Sequence, residues 1–283
     1  MRQFHVHPEM IPNAPIPGAS LRLPAEESRH LLRVLRTEVG QEVLVTDGRG
    51  RRFRTILRDA RTDGAALEIL DMERDEVELA APRLVLACGV IKSKRWEWLL
   101  EKATELGVHR IVPLTSRFAE VDPSAGRQRR WETILQSAVK QSGRTWCPEL
   151  AEPVPPAQYL DQDVRRLVCY GLARSRGKAP GADEVLEPRD LAEPALLLGA
   201  GASCVAEIVW CVGPEGGWSD DEVARLDQSG RAVRLGPHRL RAETAAIAGL
   251  VPLVSMRERY LAACGLVHES EGGPSAEVCD GEG

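Results

Sequence analysis

The spacing of hydrophobic and polar positions changes near residue 80 of this 283-residue chain. Before that point, short alternating runs bounded by glycine and proline are typical of strands in an antiparallel sheet. They predict one short helix over 25–37 and strands over 4–6, 42–46, 52–57 and 65–72. The stretch Asp47-Gly48-Arg49-Gly50 lies between two of these strands and indicates a hairpin turn. The pattern therefore predicts a small β-barrel over residues 1–78.

A charged run that ends in Pro82 separates this segment from a second one, which covers 79–265. Here apolar runs alternate with amphipathic segments, as they do in α/β proteins with a parallel sheet. The predicted strands cover 84–90, 110–114, 166–170, 208–212 and 232–235. The predicted helices cover 95–106, 129–142 and 244–258, the last capped by Thr244 and kinked at Pro252.

Three stretches carry no such pattern. Residues 177–181 are expected to be a flexible loop, and residues 195–199 fit either a short strand or a helix. The tail over 266–283 has five acidic residues and no Lys or Arg, against a formal net charge of -5 for the whole chain. It lacks apolar periodicity, so it is expected to be disordered.

Composition favours a cytoplasmic protein. No stretch approaches the roughly 20 apolar residues of a membrane span, and the amino terminus lacks the apolar core of a signal peptide. Seven cysteines, an odd number without C-x-x-C spacing, indicate neither a disulfide framework nor a metal site.

Basic residues cluster in two regions, and local patches rather than total charge decide whether a polyanion binds. Solvated surface is the ordinary alternative for such residues, but the clustering favours nucleic acid as a hypothesis. The candidate RNA contacts are Arg29, Arg33, Arg36, Arg52 and Arg54 in the first region, and Lys92, Lys94, Arg95 and Arg144 in the second.

Two glycine turns are the candidate ligand site. The strand over 208–212 ends in Gly213-Pro214-Glu215-Gly216-Gly217, and the S-x-x-E capping box that follows at 219–222 predicts a helix. A strand, a tight turn and a helix start are where α/β proteins bind ligands. A second turn, Leu235-Gly236-Pro237, precedes Arg241 and Glu243.

The residues around the first turn limit its ligand. No P-loop motif occurs, and the acids at 220–222 and Glu215 would repel the pyrophosphate of a dinucleotide. S-adenosylmethionine is a sulfonium without phosphate, and it meets this condition. On spacing alone, a purely structural turn fits equally well.

Five motifs in order resemble the RsmE family, the 16S ribosomal RNA (uracil-N3)-methyltransferases of the SPOUT superfamily. The turns GPEGGWSDDE at 213–222 and LGPHRLRAETA at 235–245 resemble G-P-E-G-G-[FWL]-[ST]-x-x-E and L-G-x-R-I-L-R-x-E-T-A. Upstream, HLLRVLR at 30–36, EKATELGV at 101–108 and QSGR at 141–144 resemble H-x-x-x-V-L-R, K-A-T-E-L-G-V and Q-x-x-R. The match extends from about residue 30 to about residue 254.

The resemblance implies an α/β fold in which a PUA-like, RNA-binding β-barrel precedes a SPOUT-type parallel-sheet domain with a trefoil knot. It also implies a homodimer that holds S-adenosylmethionine in the knot. Carried over by position, the cofactor pocket is lined by Tyr170, Gly171, Leu172, Val212, Gly213, Gly217, Leu235, Gly236, His238, Leu240 and Arg241. The implied substrate is 16S ribosomal RNA in the small subunit.

One departure concerns His238-Arg239-Leu240, where the family usually has Arg-Ile-Leu. Shifting the alignment by one residue restores Arg-Leu but removes one residue from the turn. The first basic contact is therefore either His238 or Arg239.

The implied reaction needs an unpaired uracil, because N3 lies on the Watson–Crick edge. Arg241 is the candidate for stabilising charge on O2 or O4. Glu243 would orient Arg241, and Glu215 or Glu243 is a candidate base, unless Glu243 only pairs with Arg241.

Three other functions stay open. One is a SPOUT methyltransferase that acts on another RNA position, and one is a non-catalytic RNA-binding or ribosome-assembly protein. The third is a nucleotide-dependent oxidoreductase, which the acidic helix start disfavours.

Overall fold

Two sheets organise the protein. The computed structural model describes residues 3–13, 15–117, 125–161, 165–172, 185–193 and 205–266. The first sheet has the order β1-β3-β4-β5-β2, in which β1 pairs parallel with β3 and the other pairs are antiparallel. Its strands are β1 (Gln3–His5), β2 (Ser20–Arg22), β3 (Glu42–Thr46), β4 (Arg51–Asp59) and β5 (Ala66–Arg74).

Alternation of the side chains explains this sheet. Leu21, Val45, Phe53 and Leu67 are buried on its inner face, and register shifts between β4 and β5 curl the pair around them. The predicted strands and the hairpin turn are confirmed. The predicted helix is shorter: α1 (Ala25–Arg29) continues as a π-helical turn over His30–Val34, and Arg36 then has a φ of 53°.

The second sheet is wholly parallel, as predicted, with the order β11-β9-β10-β6-β7-β8. Its strands are β6 (Arg83–Gly89), β7 (Arg110–Leu114), β8 (Glu149–Leu150), β9 (Arg166–Gly171), β10 (Glu207–Val212) and β11 (Arg231–Val233). The two-residue strand β8 lies in a stretch without a strand pattern. The trefoil knot stays a prediction.

Helices connect these strands. They are α2 (Glu76–Leu79), α3 (Ser93–Glu105), α4 (Ala125–Ser142), α5 (Pro156–Leu160), α6 (Asp220–Ser229) and α7 (Ala242–Ala263). The prediction that Thr244 caps the last helix is wrong, because α7 begins two residues earlier, after Arg241. The expectations for 177–181, 195–199 and 267–283 lie outside the described residues.

Helix α7 packs tightly on strand β10. Trp210 is fully buried, and a Cβ added to Gly249 would lie 2.2 Å from its ring. The Trp210 indole nitrogen donates to the Ala245 carbonyl oxygen at 3.3 Å. Because only glycine leaves room for the indole, this contact sets the start of α7 beside the end of β10.

Arg144 connects the segment after α4 to Glu78, at the boundary between the two domains. Its guanidinium donates to both carboxylate oxygens of Glu78 at 2.7 and 2.8 Å, and to the carbonyl oxygens of Thr104 and Val108, both at 2.8 Å. The side chain is 8% exposed. The prediction that Arg144 contacts RNA is therefore wrong, because its charge is buried and paired inside the protein.

The first sheet is attached to this same segment. Gln3 donates to the Arg144 carbonyl oxygen at 2.6 Å, and Arg52 donates to the Gly143 carbonyl oxygen at 2.7 Å. Thr46 donates to the Thr145 carbonyl oxygen at 3.1 Å. The QSGR motif thus joins the two domains. The RNA contact of Arg52 stays a prediction, although one of its nitrogens is already bound.

This junction depends on an ionised Glu78. Burial alone would raise the pKa of Glu78, but the two hydrogen bonds and the charge of Arg144, with His109 Nε2 3.3 Å away, outweigh burial and lower it to about 2. A carboxyl whose pKa falls on folding stabilises the protein above its unfolded pKa. That contribution is lost as the pH falls from about 4.5 toward 2.

Replacing Glu78→Gln should lower the free energy of unfolding by about 3 kcal/mol at pH 7, since it leaves Arg144 without a counter-charge. The difference in free energy of unfolding between wild type and Glu78→Gln should be smaller at pH 3 than at pH 7 by roughly 2 kcal/mol. Urea unfolding followed by tryptophan fluorescence measures both values. Glu76→Gln, at an exposed position, is the matched control. A difference that stays constant between pH 7 and pH 3 would contradict the role of Glu78.

Candidate functional site

A cavity of about 930 Å³ lies beyond the carboxyl ends of β9, β10 and β11. The two glycine turns and the first residues of α7 form its walls. Gly171 ends β9 and Val212 ends β10. Because these strands are parallel neighbours, their carboxyl ends lie side by side at one edge of the sheet. This edge is the usual ligand position in open α/β sheets.

The first turn is held by close packing. Pro214 packs on Gly89 at the end of β6, where an added Cβ would lie 2.6 Å from the proline ring. Gly217 has a φ of 78° and donates to the Pro214 carbonyl oxygen at 2.8 Å. The predicted capping box is confirmed: Ser219 and Glu222 each bond the other's backbone at the start of α6.

The second turn is tied to the first by an arginine. Gly236 has a φ of 148°, which a residue with a Cβ rarely adopts. Arg239 donates to the Glu215 carbonyl oxygen at 3.0 Å. Both His238 and Arg239 line the cavity, but Arg239 makes the contact between the turns.

Arg95 lies in the cavity wall between two acids. Its guanidinium hydrogen-bonds the Glu215 carboxylate, and its Nε lies 3.6 Å from Glu243 Oε1. The expectation that Glu243 orients Arg241 is wrong, because Glu243 pairs with Arg95. Arg95 was expected on an RNA-binding surface. It instead lines the cavity, as do residues of both turns.

Glu243 is nearly buried, with 12% of its side chain exposed. Its Oε2 has no hydrogen-bond partner among the described residues. Glu243 is absent from the cavity lining, whereas Glu215 belongs to it. Of the two candidate bases, only Glu215 therefore faces the cavity.

The charge around the cavity corrects the sequence argument about its ligand. Asp220, Asp221 and Glu222 do not line the cavity; Glu222 is committed to the capping box. Among the residues that the structure describes, the lining instead carries Arg95, Arg234, Arg239 and Arg241, with Glu215 as the acid. The cavity is therefore cationic, and the acids of α6 give no reason to exclude an anion.

Most predicted pocket residues do line the cavity: Gly171, Leu172, Val212, Gly213, Gly217, Leu235, Gly236, His238, Leu240 and Arg241. Tyr170 does not; its side chain is buried in a cluster with Val209 and Leu226 and donates a hydrogen bond to Asp227. Trp218 and Arg234 also line the cavity but were not predicted, and Arg239 was predicted only as an alternative to His238. Trp218 and Arg239 fall within the two motifs, so their position could have indicated them.

The remaining RNA candidates lie on the surface. Arg29, Arg33, Arg36, Lys92 and Lys94 are exposed. Arg54 is also exposed and lies 3.5 Å from Glu42. Their RNA contacts stay predictions, since exposure permits phosphate binding without requiring it.

Two family models match the chain. The RNA methyltransferase domain family matches residues 78–253, and the RNA methyltransferase PUA domain family matches residues 23–70. In the part of the chain that the structure describes, no helix combines the length and the apolar character needed to cross a membrane.

The names of similar proteins agree with these families. A ribosomal RNA small subunit methyltransferase E from Synechocystis is 30% identical over 241 residues, covering 85% of this chain and 74% of that protein. The Mycobacterium bovis protein of the same name is 30% identical over 251 residues, covering 87% and 90%. A crystal structure of ribosomal RNA small subunit methyltransferase E from Neisseria gonorrhoeae, bound to S-adenosyl methionine, aligns with a TM-score of 0.69 and 27% identity. That alignment covers 88% of this chain and 95% of the other.

Replacing Arg95→Met should lower the free energy of unfolding by about 1–2 kcal/mol, because Glu243 loses its charged neighbour inside the protein. The partial exposure of Arg95 keeps the loss below that of a fully buried pair. Urea unfolding measures it, and Lys94→Met, on the exposed neighbour, should change it by less than about 0.5 kcal/mol.

The double variant Arg95→Met/Glu243→Gln should recover part of that stability, because it removes the unpaired charge. An Arg95→Met protein as stable as wild type would show that the pairing with Glu243 contributes nothing to the fold.

Proposed function

This chain belongs to the RsmE family of RNA methyltransferases, and on this premise we propose that it methylates N3 of one uridine in 16S ribosomal RNA. The methyl donor is S-adenosylmethionine. The observation that carries the proposal is the cavity at the ends of β9, β10 and β11, to which both family turns contribute. The relatives' name supports the small ribosomal subunit as the substrate's context.

The cavity suits S-adenosylmethionine by its chemistry. Leu172, Val212, Leu235 and Leu240 supply apolar surface, which favours the adenine ring. Gly171, Gly213, Gly217 and Gly236 bring backbone close to the cavity without side chains in the way. Its volume is near the upper end of the roughly 300–1,000 Å³ of small-molecule sites. The space is therefore large enough for a cofactor of this size.

When bound, S-adenosylmethionine supplies an electrophilic methyl group. Arg241 lines the cavity, is exposed, and has no ion-pair partner among the residues described. Its guanidinium is thus available to stabilise negative charge on O2 or O4 of the uracil. Arg95 is another guanidinium in the lining, but its two carboxylates hold it in the wall.

The proton on N3 must leave before the nitrogen can act as a nucleophile. Glu215 is the candidate to accept it, because its residue lines the cavity. Glu243 is the less suitable base, since it lies outside the lining. Glu215 also holds Arg95, so the same carboxylate would position a cation and receive a proton.

RNA would bind first through charge. Phosphate contacts position a nucleic acid without specifying its sequence, and the exposed cations of the first domain suit that role. We assign this domain to 1–78 and the catalytic domain to 79–265, close to the two family matches. We further propose a cytoplasmic homodimer with a trefoil knot around the cofactor, as the family resemblance implies.

Purified protein incubated with labelled S-adenosylmethionine and small ribosomal subunits should transfer label to 16S RNA. Arg241→Ala should lower kcat by about 100-fold or more, as does loss of a donor that stabilises a developing anion. Its circular dichroism and unfolding midpoint should match wild type, since Arg241 is exposed. Near-normal turnover by Arg241→Ala would remove it from the mechanism, and binding without transfer by the wild-type protein would indicate a non-catalytic RNA-binding protein.

A further inference from the structure

The loop between β11 and α7 concentrates positive charge at the cavity. Its eight residues over 234–241, RLGPHRLR, include three arginines, one histidine and no acid. All four of these side chains line the cavity, and all four are exposed. We call residues 234–241 the cationic loop.

Neither Arg234 nor Arg239 is neutralised by a strong ion pair with a described residue, so both guanidinium charges can attract an anion. Arg234 lies 4.0 Å from Glu187, and both side chains are largely in solvent, at 56% and 41% exposure. A pair of this kind is weak. Arg239 uses one nitrogen on the Glu215 carbonyl oxygen, which is a neutral acceptor and leaves the guanidinium charge uncompensated.

The acid in the cavity lining cannot neutralise these arginines. The Glu215 carboxylate is already hydrogen-bonded to Arg95. The loop therefore presents two guanidiniums with planar donor sets toward solvent at the entrance of a site that must admit a nucleotide. Guanidinium groups bind phosphate oxygens through two parallel hydrogen bonds.

We propose that Arg234 and Arg239 bind the RNA phosphates that flank the target nucleotide. The inference rests on the proposed function, because it requires an RNA substrate. A nucleotide turned into the cavity keeps one phosphate on each side, so two phosphates remain at the entrance. The cationic loop supplies one guanidinium for each and adds a second RNA contact surface, separate from the first domain.

The carboxylate of the cofactor is the other anion that could use these arginines. One carboxylate needs only one guanidinium, and two exposed arginines exceed that demand. The two sources are distinguishable, because phosphate contacts change the salt dependence of RNA binding, whereas a cofactor contact changes the affinity for S-adenosylmethionine.

The test compares wild type with Arg234→Gln/Arg239→Gln. Equilibrium binding to 16S RNA is measured over a series of KCl concentrations, and S-adenosylmethionine binding is measured by calorimetry. The slope of log K against log salt should become less steep by about 1.4, roughly 0.7 for each lost single-strand phosphate contact. Affinity for S-adenosylmethionine should stay within about twofold of wild type in Arg234→Gln, which keeps the bond from Arg239 to Glu215, a margin well below the tenfold that 1.4 kcal/mol represents.

Arg231→Gln is the matched control. Arg231 is exposed at the start of β11 and does not line the cavity, so its loss should leave the slope unchanged. Arg234→Gln alone should make the slope less steep by about 0.7, half the change in the double variant. It should leave the bond from Arg239 to Glu215 intact. Arg239→Lys should keep the RNA slope of wild type, since the positive charge remains.

An unchanged slope in the double variant would overturn the proposal. So would a loss of S-adenosylmethionine affinity with wild-type RNA binding, because the loop would then serve the cofactor only. Methyl transfer by the wild-type protein separates these results from a failure of the proposed function. If the wild-type protein labels RNA and the double variant binds RNA as the wild type does, the proposed phosphate contacts are wrong but the proposed methyltransferase function stands.

Discussion

The site depends on one packing contact, that of the Trp210 indole with Gly249. Trp210 is fully buried in β10, and a Cβ at Gly249 would collide with its ring. Because the helix has no side chain there, α7 approaches the sheet closely enough for its first turn to meet the end of β10. The first glycine turn follows β10, and the second precedes α7. Their meeting, and hence the cavity, follows from this approach.

Charged contacts then fix the position of the two turns relative to each other. Arg239 ties the second turn to the Glu215 backbone, while Arg95 holds the Glu215 carboxylate from α3. The turns are therefore fixed by two arginines that approach one glutamate from different elements. A similar arrangement joins the domains, where Arg144 holds Glu78 and two carbonyl oxygens. In both places a buried or half-buried cation organises loops that apolar packing alone does not determine.

Much of the fold could be predicted because its signals are local. Continuous apolar runs indicate strands buried on both faces, and the S-x-x-E pattern indicates the start of α6. The start of α7 was missed because Arg241 precedes it without a side-chain cap. Strand β8 was missed because two residues carry no periodicity.

The site could be predicted only in part, since charge partners are distant in sequence. Arg144 and Arg29 look alike in a basic cluster, yet Arg144 is buried against Glu78, which is 66 residues away. Arg95 pairs with Glu215, which is 120 residues away in the sequence. Because the sequence does not show this pairing, Arg95 was interpreted as a surface residue of the basic cluster. The acids at 220–222 seemed to exclude anions, but they belong to the helix cap, and arginines line the cavity instead.

The central claim is that this chain methylates N3 of one uridine in 16S ribosomal RNA. The most direct test compares that RNA, nucleotide by nucleotide, between a strain with the gene and a strain without it. An N3 methyl group blocks Watson–Crick pairing, so it stops reverse transcription at the next nucleotide. The account predicts one such stop at a uridine that disappears on deletion and returns when the gene is restored. An unchanged pattern of 16S RNA modification in the deletion strain would contradict the account.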